Sequence, residues 1–199
     1  MDEQDIYNLN DEQPLPRRGS LLVAKPTVGD FFFRRSVVLI INPDENEGAM
    51  GVVLNHNSGF VLSQVVDDVT GSDEIPLFLG GPVGHGSLFY LHTLGPEVIP
   101  DSEHVAPGLW VGGDFDAMKR YINAGGPVEG RIKFVVGYSG WEHNQIEDEI
   151  HRHDWAVLHQ APVPVLMDDG GDAIWQQVVS MFGDRYRLWL NLPTDASYN

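Results

Sequence analysis

The sequence predicts an α+β fold formed by one compact domain. From Gly19 onward, short runs rich in Val, Leu, Ile and Phe alternate with turn residues, a pattern typical of strands. Helical periodicity occurs in three irregularly placed segments, which argues against a regular repeat of strand and helix. Of the 199 residues, 42% are hydrophobic, enough for a well-buried core. We expect an acidic, flexible arm at residues 1–18 and a single domain at residues 19–199.

Strands are predicted where apolar runs are bounded by turn residues. They are Ser20–Ala24, Ser36–Ile41, Met50–Leu54, Pro76–Leu79, Ser87–Leu91, Leu109–Gly112, Arg131–Tyr138, Trp155–Leu158 and Arg185–Leu190. Helices are predicted at Asp114–Asn123, which stops at Gly125-Gly126, and, where apolar residues recur three or four apart, at Trp141–Arg152 and Asp172–Phe182. Asp114 is suited to cap the first of these helices.

The charge balance limits the partners that this chain can bind. Its 12 basic and 29 acidic side chains give a formal net charge of −17, which opposes direct binding of nucleic acid. Two pairs of basic residues, Arg17-Arg18 and Arg34-Arg35, are local exceptions to this negative charge. An acidic surface favours solubility, and it also suits docking of a basic protein partner.

Composition also indicates the compartment. The chain has no cysteine, which excludes disulfides, thiolate metal sites and cysteine nucleophiles. Its first residues are acidic and lack the apolar stretch of a secretory signal. No apolar run is long enough to span a membrane. We therefore expect a cytosolic (cytoplasmic) protein that uses no cofactor, and the arm offers one route to an oligomer.

The segment Gly137–Trp141 is the first candidate site. A predicted strand runs into Gly-Tyr-Ser-Gly-Trp and then a predicted helix, which resembles an incomplete nucleophile elbow around Ser139. Ser139 with Glu142 also forms the pattern of a capping box. A third interpretation is an anion site at the helix start, framed by Gly137, Ser139 and Gly140, with Trp141 lining a pocket.

Two further motifs were weighed for metal or nucleotide binding. His143, Glu147 and His151 are spaced four apart, so a metal site competes with a solvated helix face supported by Glu–His pairs, and we favour the latter. The Gly80–Val83 loop lacks the Lys-Ser/Thr that ends a phosphate-binding loop. It is predicted to be a strand connection.

Several ordered motifs together resemble the AlgH/YqgE family of bacterial proteins. They are Gly19–Ala24 with Pro26, Phe33–Leu39, Gly48–Gly51 with Leu54-Asn55, Gly80–Val83, Leu91-His92, Gly137–Trp141 with Gln145, Glu147 and Glu149-Ile150, Trp155, and Pro193–Asp195 near the end. The resemblance implies a bifurcated mixed or antiparallel sheet curled into a pseudo-barrel with a few flanking helices. Some members are labelled transcriptional regulators, but the family is largely uncharacterised.

The leading hypothesis is a non-enzymatic protein that binds a protein partner or a small anionic ligand, with any regulation indirect. The alternative is an enzyme or binder acting on a small anionic or acyl ligand at the Gly137–Trp141 turn. No catalytic residue and no metal are assigned. The candidate ligand-binding residues are Arg35, Gly80, Gly81, Pro82, Gly137, Ser139, Gly140, Trp141 and Glu147.

Overall fold

A computed structural model describes residues 13–44 and 48–192 of the chain. Within these ranges there are ten strands: β1 (Leu21–Ala24), β2 (Val37–Asp44), β3 (Gly48–Val53), β4 (Asn57–Val61), β5 (Pro76–Leu79), β6 (Val83–His92), β7 (Glu103–Ala106), β8 (Leu109–Val111), β9 (Ile132–Trp141) and β10 (Trp155–Leu158). The same ranges contain five α-helices: α1 (Phe115–Asn123), α2 (Gln145–His151), α3 (Val163–Leu166), α4 (Asp172–Met181) and α5 (Arg187–Leu190). Short 3₁₀ turns cover Leu62–Gln64 and Asp184–Tyr186.

The strands form one mostly antiparallel sheet that branches at β9. The main path runs β10-β1-β2-β3-β9-β6-β8-β7, with β4 and β5 outside it. The first half of β9 pairs with β6 and, in parallel, with β5, whereas its last residues, Ser139 to Trp141, pair with β3. The sheet is not closed. These observations confirm the predicted α+β class and the bifurcated sheet.

Apolar side chains fill three clusters around the branched sheet. The largest packs α4, through buried residues including Trp175 and Val178, against strands β1 and β2. A second surrounds Trp141 and Trp155 beneath α2, and a third lies under α1. In the described part of the chain, no helix is both long and apolar enough to cross a lipid bilayer.

The first helix forms as predicted, and its cap is the expected one. The Asp114 carboxylate accepts a 2.9 Å hydrogen bond from the backbone N–H of Ala117, three residues into the turn. This contact satisfies one of the unpaired donors at a helix start. The helix ends at Asn123, before the glycine pair at 125–126.

Two predicted elements are wrong. The segment Arg185–Leu190 forms a 3₁₀ turn and α5 rather than a strand, because Tyr186 and Trp189, three residues apart, both turn into the main apolar cluster. The helix predicted from Trp141 begins at Gln145, because pairing with Ala49 extends β9 through Trp141. Strands β4 and β7 and helix α3 have no counterpart among the predicted elements.

The predicted arm lies mostly outside the described residues. Of residues 1–18, the structure describes 13–18, and Gln13 there contacts the domain. Its side-chain amide donates to the Tyr186 hydroxyl at 3.1 Å and accepts from the backbone N–H of Val157 at 3.0 Å. The Pro193–Asp195 motif also lies outside the described residues.

Candidate functional site

The two glycine-rich candidate segments come together, but they meet backbone against backbone. A Cβ atom on Gly80 would lie 2.3 Å from the carbonyl oxygen of Gly137, and one on Gly81 would lie 2.0 Å from that of Tyr138. The Ser139 hydroxyl donates to the Gly80 carbonyl at 3.2 Å. The glycines therefore permit close packing of two chain segments and leave no space for a ligand between them.

The structure also changes the expected role of Ser139. This residue lies inside β9 and is 1% exposed, and the next helix begins only at Gln145. The capping box with Glu142 and the anion site at a helix start are therefore wrong, because both need a helix that begins near Trp141. A buried hydroxyl that already donates to a carbonyl also lacks the access that a nucleophile needs.

Trp141 belongs to a polar cluster within the apolar core. The indole N–H groups of Trp141 and Trp155 both donate to Oε2 of Glu149, each at 2.8 Å. The side-chain amide of Gln145 donates to the other carboxylate oxygen at 2.9 Å. Both indoles are buried, so Glu149 satisfies donors that would otherwise be unpaired. The cluster joins α2 to the sheet and lines no cleft.

Arg35 and Pro82 likewise have structural surroundings. Arg35 adopts a left-handed φ of 53°, and its guanidinium donates to the Leu192 carbonyl and lies 5.0 Å from the centre of the Trp175 ring. The Asn55 amide donates to the Arg35 carbonyl at 2.8 Å. Arg35 thus joins a tight turn to the C-terminal helices. The carbonyl of Pro82, an exposed residue, is 2.8 Å from Nε2 of His85.

The stripe of His143, Glu147 and His151 does not form along one helix. His143 precedes α2, and Asn144, in a left-handed conformation with φ 63°, separates it from the helix. Across residues 13–44 and 48–192, no group of three or more His, Asp or Glu side chains is placed to hold a metal ion. Glu147 and His143 instead line a shallow cleft of about 350 Å³.

Ser36 and His56 form a hydroxyl–imidazole pair that the sequence analysis did not identify. Ser36 Oγ lies 3.2 Å from Nε2 of His56, and the Phe32 ring packs edge-on to the imidazole. Burial lowers the pKa of His56, against a smaller opposing effect of Asp172. Ser36 is fully buried, so no substrate reaches its hydroxyl. The pair stabilises the turn before β2.

Lys133 is a buried cation that the sequence analysis also missed. It lies in β9 between apolar neighbours, is 2% exposed, and donates to the carbonyl oxygens of Leu54, at 3.1 Å, and Asp168. Its ammonium lies 3.7 Å from the Asp169 carboxylate and 4.3 Å from the centre of the Phe78 ring. Burial lowers the pKa of Lys133 to about 8, against the opposing effect of Asp169. Two hydrogen bonds and an ion pair hold the ammonium in place, which fits a structural role.

A different surface gathers two arginines and two histidines around an open cleft of about 720 Å³, which we call the basic cleft. Its rim carries Arg17, Arg18, His104 and His159, and no Asp or Glu among the residues that the structure describes lines it. The Arg17 guanidinium forms no ion pair with any residue that the structure describes, whereas Arg18 pairs with exposed Glu103 at 3.0 Å. This cleft contrasts with the net charge of −17 of the whole chain, because both charged side chains that line it are arginines.

Long-range strand pairing builds the basic cleft. Leu21 of β1 pairs with Leu158 of β10, which brings Ser20 beside His159, and the Ser20 hydroxyl lies 3.0 Å from Nδ1 of that imidazole. Ser20 also accepts the backbone N–H of Arg17 at 2.9 Å. One buried hydroxyl therefore positions both the arm and a histidine of the rim.

Gly19 lets the arm cross closely over β7. It has a φ of +82°, and a Cβ atom there would lie 2.5 Å from the Val105 carbonyl oxygen. A larger residue would push the arm away from β7. The narrow crossing therefore holds Arg17 and Arg18 at the rim opposite His104.

The other clefts differ from the basic cleft in charge. Glu129, Asp168 and Asp169 line a cleft of about 710 Å³, and Glu74, Glu129 and Asp169 line one of about 470 Å³. Repulsion from Asp168 and Glu129 contributes, after burial, to a raised pKa of Asp169. These surfaces match the overall acidity of the chain.

The branched, open sheet with flanking helices defines the chain as a single-domain α+β protein. The model of a family described as AlgH-like matches residues 21–187. The UPF0301 protein of Parabacteroides distasonis is 39% identical over 196 residues, which are 98% of each chain. That of Bacteroides fragilis is 36% identical over 195 residues, 98% of this chain and 97% of the other. The chain therefore belongs to the AlgH-like family.

Solved structures show the same fold. The solution structure of the AlgH protein from Pseudomonas aeruginosa superposes with a TM-score of 0.70 at 25% identity, covering 94% of this chain and 100% of that one. The crystal structure of DIP2367 from Corynebacterium diphtheriae gives a TM-score of 0.70 at 23% identity, covering 92% and 95%. Both matches extend over nearly the whole chain.

Proposed function

We propose that this protein is a non-enzymatic cytosolic binding protein that holds a small anionic ligand at the basic cleft, with any regulation exerted indirectly through that binding. The observation that carries the proposal is the concentration of Arg17, Arg18, His104 and His159 around one cleft that no carboxylate lines. Guanidinium groups bind carboxylates and phosphates through paired hydrogen bonds. The unpaired Arg17 has its donors available for such a ligand.

The location of the cleft supports binding rather than catalysis. Its two arginines are cations that attract and orient an anion, and the Ser20 hydroxyl beside them is fully buried. The serines that invite a nucleophilic interpretation, Ser36 and Ser139, are buried elsewhere. The alternative, an enzyme acting on an acyl ligand at the Gly137–Trp141 turn, would need access to the Ser139 hydroxyl, which is buried and donates to the Gly80 carbonyl. It predicts turnover that Ser139→Ala abolishes while the fold survives.

The test is an amide-detected NMR titration of the ¹⁵N-labelled protein with sodium acetate, inorganic phosphate and sodium octanoate. We expect at least one anion to shift the amides of residues 17–20, 104–106, 159–161 and 163 in a saturable way. The double variant Arg17→Gln/Arg18→Gln should weaken that binding at least tenfold, because it removes both guanidinium groups from the rim.

A matched control separates the cleft from the overall field of the protein. Arg152→Gln/Arg187→Gln removes the same charge at two exposed arginines whose partners are Asp154 and Asp184, away from the cleft. This control should bind the anion like the unmodified protein. Equal weakening in both double variants, or shifts confined to other surfaces, would overturn the proposal.

A further inference from the structure

We infer that the ligand of the basic cleft is an anionic amphiphile, a linear alkyl chain that ends in a carboxylate or phosphate head. This inference rests on the proposed function and deepens it. The rim would bind the anionic head, and the apolar remainder of the cleft would bind the alkyl chain. Apart from the four rim residues, Gly19 and Gln160, the cleft is lined by apolar side chains that we call its floor, namely Val105, Ala106, Pro107, Ala161, Pro162, Val163 and Leu166.

The floor is continuous with the main hydrophobic core. Val105 and Leu166 are nearly completely buried members of the largest apolar cluster, and Ala106, Ala161 and Val163 are partly buried against it. An alkyl chain lying on these residues would extend the core and remove apolar surface on both partners from water. The apolar lining is thus an open part of the core rather than a scatter of surface residues.

The floor is also poor in the backbone groups that a peptide ligand would need. Pro107 and Pro162 have no N–H to donate. Within α3, the N–H groups of Val165 and Leu166 both donate to the Pro162 carbonyl. A bound peptide would bury its own carbonyl groups here without partners, at a cost in free energy. An alkyl chain needs no such partners.

The arrangement of the rim sets the direction of the ligand. Arg17 and Arg18 belong to the arm, whereas Val163 and Leu166 belong to α3. An anionic head paired with the arginines leaves its chain to run over Ala161 and Pro162 toward α3. The volume of about 720 Å³ lies within the range of sites for small molecules.

The test measures affinity against chain length by isothermal titration calorimetry, with butanoate, hexanoate and octanoate below their micelle concentrations. Each buried methylene should tighten binding about two- to fourfold, which amounts to between about 15-fold and 250-fold from butanoate to octanoate. Octan-1-ol and octylammonium, which lack the anionic head, should bind at least tenfold more weakly than octanoate. Octyl phosphate in place of octanoate distinguishes the two heads.

A variant of the floor isolates the role of the chain. Val163→Thr keeps the side-chain shape but places a hydroxyl on the floor. It should reduce the gain in affinity per methylene by at least half. Val165→Thr, on the same helix but not lining the cleft, is the matched control and should leave the gain unchanged.

The outcomes separate the inference from the proposed function. If anions bind at the cleft but their affinity does not depend on chain length, the inference of an amphiphilic ligand is overturned. The proposed function would still stand. Absence of binding by every anion would overturn both. If affinity rises with chain length but Arg17→Gln/Arg18→Gln does not weaken binding, the ligand binds elsewhere. That result would also overturn the inference.

Discussion

The Ser20 hydroxyl lies 3.0 Å from Nδ1 of His159, although 139 residues separate the two along the chain. Ser20 is fully buried at the start of β1, and His159 follows the last residue of β10. The antiparallel pairing of these strands brings them together. This contact connects a fully buried residue next to β1 to the rim of the basic cleft.

Ser20→Ala should weaken anion binding about three- to tenfold, because His159 loses the partner that orients its ring. It should also lower the free energy of unfolding by about 1–2 kcal/mol, since the Arg17 N–H loses its acceptor. Urea unfolding and calorimetric titration with octanoate measure the two effects. Ser87→Ala, at an exposed serine of β6, is the control. Unchanged affinity in Ser20→Ala would show that His159 needs no such support.

Gly19→Ala should destabilise the protein by about 1–3 kcal/mol. The residue has a φ of +82°, where a side chain is strained, and the added Cβ would lie 2.5 Å from a backbone oxygen of β7. Gly86→Ala is the matched control, because a Cβ there meets no atom within 4 Å. Urea midpoints compare the two variants. Equal stability would mean that the arm does not need its close crossing over Val105.

Glu149→Ala should cost about 2–4 kcal/mol of stability, because two buried indole N–H groups lose their shared acceptor. Glu149→Gln retains an acceptor oxygen and should recover part of this loss. Tryptophan fluorescence during urea unfolding measures the change. Asp148→Ala, at the exposed neighbour on α2, should shift the free energy by only a few tenths of a kcal/mol. A loss in Glu149→Ala no larger than that control would contradict the assigned role.

Stability should rise between pH 8 and pH 9.5 because of Lys133. The pKa of Lys133 is about 8 in the folded protein against an ordinary value of 10.5, so the unfolded chain holds more protons across this interval. Stability then increases with pH, by as much as about 1.4 kcal/mol per pH unit for one group. Burial raises the pKa of Tyr90 to about 12, and its opposing effect stays small below its ordinary value of 10.0.

Lys133→Met removes the titrating group and should abolish this rise. The quantity to compare is the difference in urea unfolding free energy between the two proteins at pH 8.0 and pH 9.5. Parallel pH profiles would show that the Lys133 ammonium stays protonated across the interval and that its ion pair with Asp169 outweighs burial.

Local sequence patterns predicted those elements whose structure depends on residues close together in the chain. The Asp114 cap and the apolar periodicity of α4 lie within single segments, and both were found. The helix start near Trp141 was predicted wrongly, because Ser139 and Glu142 imitate a capping box while the pairing of Trp141 with Ala49 holds this segment in β9. That competing interaction joins residues nearly a hundred positions apart, and no local pattern records it.

The basic cleft was not predicted from the sequence, because it also depends on contacts between residues far apart in the chain. Arg17-Arg18 stood out as a basic pair in an acidic chain, but His104 and His159 join it only through the pairing of β1 with β10 and the crossing of Gly19 over β7. The glycine-rich segments carried the strongest motifs, and they proved to mark close backbone packing. For Lys133, a single cation within a run of apolar strand residues was the available signal.

The most direct measurement of the central claim is a crystal structure of the protein grown with octanoate. The account predicts an anionic head within about 3 Å of the Arg17 or Arg18 guanidinium, at charge-assisted hydrogen-bond distance, with the chain over Ala161 and Val163. A head bound at another surface, or a basic cleft that holds only water at saturating octanoate, would contradict it.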